Sequence, residues 1–203
     1  MTDQYFNTLS TAGLCRAGGN GPFHPSQIEG LSLVEQGESL LDVGCGSGTT
    51  TECIVTNFPD KNIIYKGVDA VEAHTVWCKE QWPQFEFEQE NGMKLKEKDQ
   101  SWDVVWSRHV VDHMPSVEEA LTEYMRVAKK KVICILWYGM NQEREHKISH
   151  VNYEQEFEEY LNSYSEPLIA EFLEKQEAWD YRMIKYVGLP HKQNDTIIYL
   201  KRR

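Results

Sequence analysis

The chain has no long apolar run, no paired-cysteine motif and no excess of positive charge, and each absence removes a class of function. None of its 203 residues belongs to a stretch approaching the ~20 consecutive apolar residues that span a bilayer. The first residues, Met1-Thr2-Asp3-Gln4-Tyr5, offer neither a basic patch nor an apolar stretch, so no secretory signal is expected. Cys15, Cys45, Cys53, Cys78 and Cys134 form no C-x-x-C pair. Their odd number and wide scatter suit reduced thiols in the cytoplasm better than a disulfide frame. The formal net charge is −11, which repels a polyanion, so a nucleic-acid partner is not expected. The basic clusters Lys129-Lys130-Lys131 and Lys201-Arg202-Arg203 read as solvated ends of elements rather than a phosphate-binding patch. Internal repeats and low-complexity tracts are also lacking.

What is present is an alternation of short apolar runs and amphipathic stretches. The pattern predicts strands at 39–43, 62–68, 85–89, 102–106 and 131–137. It predicts helices from Thr49 to about Phe58, from Val71 to Trp82 ahead of Pro83, and from a capping box at Ser116 and Glu119 through Val127. This order argues for a doubly wound, mostly parallel α/β sheet covered on both faces. Tyr153 to Gln176 reads as an acidic helix, with Tyr153, Phe157, Tyr160, Leu161 and Tyr164 on one face. Stretches 179–187 and 196–201 read as two closing strands around Gly188-Leu189-Pro190. The chain is expected to form one domain with four parts. Residues 1–30 are a lid segment, 31–138 a ligand-binding core, 139–177 a helical cap insertion and 178–203 a β-hairpin.

The run Leu40-Leu41-Asp42-Val43-Gly44-Cys45-Gly46-Ser47-Gly48 is the most informative segment. It reads as a buried strand that breaks into a glycine-rich turn and enters a helix, a place where open α/β folds take nucleotide-like ligands. The dinucleotide fingerprint G-x-G-x-x-G does not fit, because the third glycine comes one residue early and Thr49 stands in its place. Asp69, 21 residues beyond Gly48 at the end of the second strand, can accept from both hydroxyls of a ribose. It can also cap the following helix. Asn91-Gly92 can border a base or form an Asn-Gly turn.

The acid-x-G-x-G-x-G run resembles motif I of the class I S-adenosylmethionine (SAM) methyltransferases. The stretch from Trp102 through Ser107-Arg108-His109 to Asp112-His113-Met114-Pro115 looks like the fourth-strand region of their type 11 group. Downstream, Ala120-Leu121, Glu123, Arg126-Val127 and Val132 to Ile135 match that group as well. The resemblance covers roughly residues 30–140 and implies a seven-stranded Rossmann-like sheet with an antiparallel C-terminal strand. It implies SAM as cofactor, bound by Asp42, Gly44, Cys45, Gly46, Ser47, Gly48, Asp69, Ala70, Asn91, Gly92, Met93, Ser107 and Arg108. Asn91 departs from the group's usual aspartate, and the three lysines depart from its usual Pro-Gly-Gly turn. Gly21-Pro22-Phe23-His24-Pro25 resembles an N-terminal loop of some members.

The implied reaction is transfer of a methyl group to an O, N or C atom of a small molecule. His109, just past the fourth strand, is the candidate general base or a substrate-orienting group. Arg16, His24, Trp137 and Tyr138 are candidate acceptor contacts, while His113 is read as structural. His109 and His113, like His146 and His150, are four apart, but neither pair has the glutamate of a zinc helix, so no metal is expected. A protein methyltransferase, a non-catalytic SAM-fold partner and a nicotinamide oxidoreductase are the alternatives. The glycine spacing disfavours the last.

Overall fold

The computed structural model describes residues 23–136, 145–149, 159–188 and 194–203, with backbone alone at 145–149, 159–161 and 163. Nine strands are described: β1 (Ser39–Val43), β2 (Ile64–Asp69), β3 (Glu86–Gln89), β4 (Trp102–Arg108), β5 (Ala128–Leu136), β6 (Glu145–Ser149), β7 (Glu159–Ser163), β8 (Trp179–Tyr186) and β9 (Asp195–Arg202). The helices are α1 (Pro25–Ser32), α2 (Thr49–Asn57), α3 (Glu72–Gln81), α4 (Val117–Val127) and α5 (Glu166–Glu174).

Seven strands form one sheet in the order β3-β2-β1-β4-β5-β9-β8. The first five run parallel, and β9 and β8 close the sheet antiparallel. Strands covered on both faces need no polar alternation, which is why Val132 to Leu136 are all buried. One face packs Leu31 of α1, Cys53 and Ile54 of α2 and Cys78 of α3 over Leu40, Trp106 and Ile133. The other packs Ala120, Leu121 and Tyr124 of α4 and Ile169 and Leu173 of α5 over Leu41, Val105 and Val132. Strand order reverses between β1 and β4, so the crevice at their carboxyl ends is the switch point where this architecture binds ligands.

Ser116 caps α4 as expected, its hydroxyl accepting from Glu119 N at 3.2 Å. The last turn of α4 is closed by Arg202. Its guanidinium donates to the carbonyls of Met125, Ala128 and Lys129 and stacks on the Trp179 ring at 4.4 Å.

Two expectations need correction. The insertion is not purely helical. Its described part is an antiparallel pair, β6 with β7, followed by the single short helix α5. Tyr160 and Leu161 therefore lie on a strand, although their spacing mimics a helix face. The element is fixed by polar contacts as well as burial: Asn162 donates to Met114 O at 2.6 Å and Tyr164 to Val111 O at 3.3 Å. The lysine run is not a solvated turn either, because β5 begins at Ala128 and carries all three lysines. Lys131 is buried, bound to Glu38 at 2.9 Å, Glu35 at 3.0 Å and the carbonyl of Leu33 at 3.1 Å. Paired carboxylates and a carbonyl make that burial tolerable. Among the described residues, no helix is long and apolar enough to cross a membrane.

Candidate functional site

The bend after β1 is built by three glycines in left-handed conformation: Gly44 at φ 76°, Gly46 at 52° and Gly48 at 81°. Gly44 N and Cys45 N both donate to Val68 O, so the chain leaves β1 still tied to β2. The flanking glycines are tightly covered. A Cβ at Gly48 would meet the Trp82 ring at 2.2 Å, and one at Gly44 would meet Val110 at 2.2 Å. A Cβ at Gly46 would meet nothing within 4 Å. The bend is thus packed on its shoulders and open at its centre, where a ligand can approach the backbone.

This contrast gives a test. Gly48→Ala is expected to destabilise by about 2–4 kcal/mol, from left-handed strain together with overpacking on Trp82. Gly46→Ala should lose only about 1–2 kcal/mol, from strain alone. Urea unfolding reads both, and equal losses would contradict the packing against Trp82.

Asp69 stands at the rim of the open centre. Its Oδ2 accepts from Gly46 N at 2.8 Å, and its Oδ1 accepts from Val71 N at 2.9 Å and lies 3.2 Å from His74 Nδ1. The bond to Val71 N is a local turn ahead of α3, whose N-cap Val71 takes no side-chain cap bond, so the alternative helix-capping role is not formed and the carboxylate instead tethers the glycine bend. Gln89 donates to Ala70 O at 2.9 Å, fixing the turn after β2.

Asn91 Oδ1 accepts from Met93 N at 2.9 Å, forming the Asn-Gly turn that was one of its two expected roles. Gly92 is required there, because a Cβ would meet Met114 at 2.7 Å and Val43 at 2.8 Å. Met93 is half-buried beside this turn.

Asp42 is buried at the end of β1 and accepts from the Tyr65 hydroxyl at 2.7 Å. Burial pushes its carboxyl up to about 7, against the opposing hydrogen bonds of Tyr65 and Thr50. The hydroxyl of Ser47, buried in the bend, and Nε of Arg108, at the end of β4, have no hydrogen-bond partner. Burial lowers the Arg108 guanidinium, and the carboxylates of Asp195 and Asp42 offset part of that effect. Ser107 is buried on the opposite face of β4, towards Tyr124. Cys45 and Cys78 are buried thiols beside Gly46, and Cys78 Sγ lies 3.3 Å from Gly46 O.

His109 adopts a left-handed backbone at φ 56° and is not on a helix, so it has no helical register with His113. Its Nε2 lies 3.0 Å from Asp195 Oδ1. Burial pushes the imidazole down to about 4 despite that carboxylate, so the ring is neutral at pH 7. His109 is thus a buried imidazole held against a carboxylate. His24 caps α1, and its Nδ1 lies 2.7 Å from Ser26 Oγ and 3.0 Å from Asp195 Oδ2. Ser26 and Asp195 have no signal in the sequence. They are 169 residues apart and meet only because β9 lies beside β5 under α1. Arg16, Trp137 and Tyr138 lie outside the described residues.

Residues 41–136 match the family model described as a methyltransferase domain. Over that segment the chain is similar to methyltransferase domains, a class whose methyl donor is SAM. Over 110 residues it is 26% identical to a trans-aconitate 2-methyltransferase of Variovorax paradoxus, a match that takes in 54% of this chain and 42% of that protein. The chain thus matches less than half the length of this curated relative. Two solved structures share the fold. A SAM-dependent methyltransferase of Methanosarcina mazei superimposes with TM-score 0.67 at 15% identity, over 90% of this chain and 99% of that one. The phosphoethanolamine N-methyltransferase 2 of Haemonchus contortus, solved with SAM, gives 0.71 at 13% identity, over 99% of this chain and 58% of that one.

Proposed function

We propose that this chain transfers the methyl group of SAM to an O, N or C atom of a small-molecule acceptor. The observation that carries the reading is the bend at Gly44–Gly48, filled at both shoulders and open at Gly46, with Asp69 at its rim. The residues present fit the donor. Gly46 leaves room for a close ligand, Ser47 keeps an unpartnered buried hydroxyl, and Asp69 is placed for a ribose. Arg108 and Asp42 supply one charge of each sign below the cleft, suited to the two ends of an amino acid.

When bound, SAM supplies an activated methyl on a sulfonium. The protein's task is then to bind, align and exclude water, which together contribute several kcal/mol to the barrier. Gly46 and Asp69 hold the donor, and Val110 and Trp82 keep the bend rigid around it. The acceptor would enter on the side of β4 and β5 where His109 and His24 stand, with Arg16, Trp137 and Tyr138 as further candidate contacts. A small acceptor is supported by the acidic charge, which disfavours nucleic acid, and by the relative whose name specifies trans-aconitate. Its reduced, buried thiols suit a cytoplasmic setting.

Titration calorimetry with SAM, S-adenosylhomocysteine (SAH) and NADH tests the reading. Binding of the first two and not of the third is expected. Saturable NADH binding, or no heat with SAM at about 1 mM, overturns it. Transfer of labelled methyl from SAM to trans-aconitate, to a phenol and to an amine then sorts the acceptor chemistry.

A further inference from the structure

We propose that His74 is a positioning residue for the methyl donor, its Nδ1–H holding Asp69 in the one orientation that offers a carboxylate oxygen to the ribose beside Gly46. The inference rests on the methyltransferase reading and adds to it a group outside the segments that read as donor-binding in the sequence.

Three side chains along α3 follow the glycine bend. His74, Cys78 and Trp82, which closes the helix, stand four residues apart and so share one helix face. Each reaches a different part of the bend. The Trp82 ring covers Gly48, Cys78 Sγ lies 3.3 Å from Gly46 O, and His74 Nδ1 lies 3.2 Å from Asp69 Oδ1. Side chains on a helix tilt towards its N-terminus, which turns a first-turn residue onto the end of the preceding strand. His74 is buried there, against the carboxylate that ends β2.

Three protein groups surround that carboxylate. Oδ1 accepts from Val71 N at 2.9 Å and faces His74 Nδ1, and Oδ2 accepts from Gly46 N at 2.8 Å. An ionised carboxylate only accepts, so the imidazole nitrogen facing it carries a proton. Each carboxylate oxygen has about two lone-pair sites. Those of Oδ1 are taken by Val71 and His74, and the site left on Oδ2 lies beside Gly46, where the bend is open. Every donor on the carboxylate narrows its torsional range, so less freedom is lost when a sugar hydroxyl arrives. An apolar side chain would fill the same space under α3 more cheaply, because a buried imidazole must find partners for its polar atoms. Here one of those partners is the carboxylate that meets the ligand.

The test is titration calorimetry of the full chain with SAH and with its analogue lacking both ribose hydroxyls. His74→Phe should bind SAH about 10-fold more weakly than the wild type, the loss of one hydrogen bond to a charged group. His74→Asn keeps an N–H donor near the place of Nδ1 and should return to within about three-fold of the wild type. The analogue should bind the wild type and His74→Phe within about two-fold of each other, because the carboxylate then has no sugar oxygen to meet. Equal losses for SAH and the analogue would assign the imidazole to the fold alone, and unchanged SAH affinity in His74→Phe would show that Asp69 needs no help; either result overturns the proposal. If His74→Phe does not fold, 1H–15N NMR of the wild type with labelled histidine decides: a protonated Nδ1 at pH 7 supports the proposal and a bare Nδ1 overturns it. A wild type that binds neither SAM nor SAH would instead defeat the methyltransferase reading, and the state of Nδ1 would still be read in the free protein.

Discussion

Asp69→Ala is expected to weaken SAM binding by about 100-fold in titration calorimetry, because a charge-assisted hydrogen bond to a ribose hydroxyl contributes roughly 1.5–3 kcal/mol and the same carboxylate holds the bend that receives the sugar. The effect is enlarged by what this carboxylate does inside the protein. It holds Gly46 N, Val71 N and the His74 ring, so its removal frees the open centre of the bend as well as the sugar contact. Asp69→Asn keeps one acceptor oxygen and should lose less, about 10-fold. An Asp69→Ala protein that binds SAM as the wild type does would remove the site. The variant should still fold, since β2 is held by its ladders to β1 and β3 and by buried Tyr65 and Val68.

The parallel core was legible because its cause is local. Strands covered on both faces are nearly all apolar, and Leu40-Leu41, Val104-Val105 and Val132 to Ile135 announce that directly. The glycine bend was legible for the same reason, since left-handed backbone at three alternating positions selects glycine. The insertion was not. Tyr160 and Leu161 sit at helix-compatible spacing, but β7 is fixed by pairing with β6 and by Asn162 and Tyr164 docking on the loop after β4, contacts that leave no period in the sequence. The lysine run misled because Lys131 looks solvated until Glu35 and Glu38 are seen to enclose it. The His24–Ser26–Asp195–His109 cluster is invisible for a topological reason. Only the antiparallel return of β9 beside β5 brings position 195 under α1.

Asp42 should reveal itself through pH. Its carboxyl stands near 7 when folded and at 3.8 as an ordinary group, with burial the main cause. A folded state that holds the proton more tightly than the unfolded chain is favoured at low pH. The advantage is complete below about 4 and falls as pH rises towards 7, where the buried carboxylate must ionise. The difference of about three pKa units amounts to roughly 4 kcal/mol of stability missing at pH 8. Asp42→Asn carries no such charge and can still accept from Tyr65. The variant should therefore match the wild type near pH 4 and exceed it by as much as a few kcal/mol at pH 8 in urea unfolding. Its SAM affinity should fall at least about 10-fold, because the cleft loses the anion that complements a cationic donor. Binding to the wild type at pH 6 should release protons, seen as an enthalpy that depends on buffer ionisation, since the cation favours ionised Asp42. The same stability difference at pH 4 and pH 8 would show that Asp42 is ionised throughout, with its burial offset by partners other than Tyr65 and Thr50. A stable variant with poor donor binding would instead mean that the carboxylate is kept for the ligand at a cost to the fold.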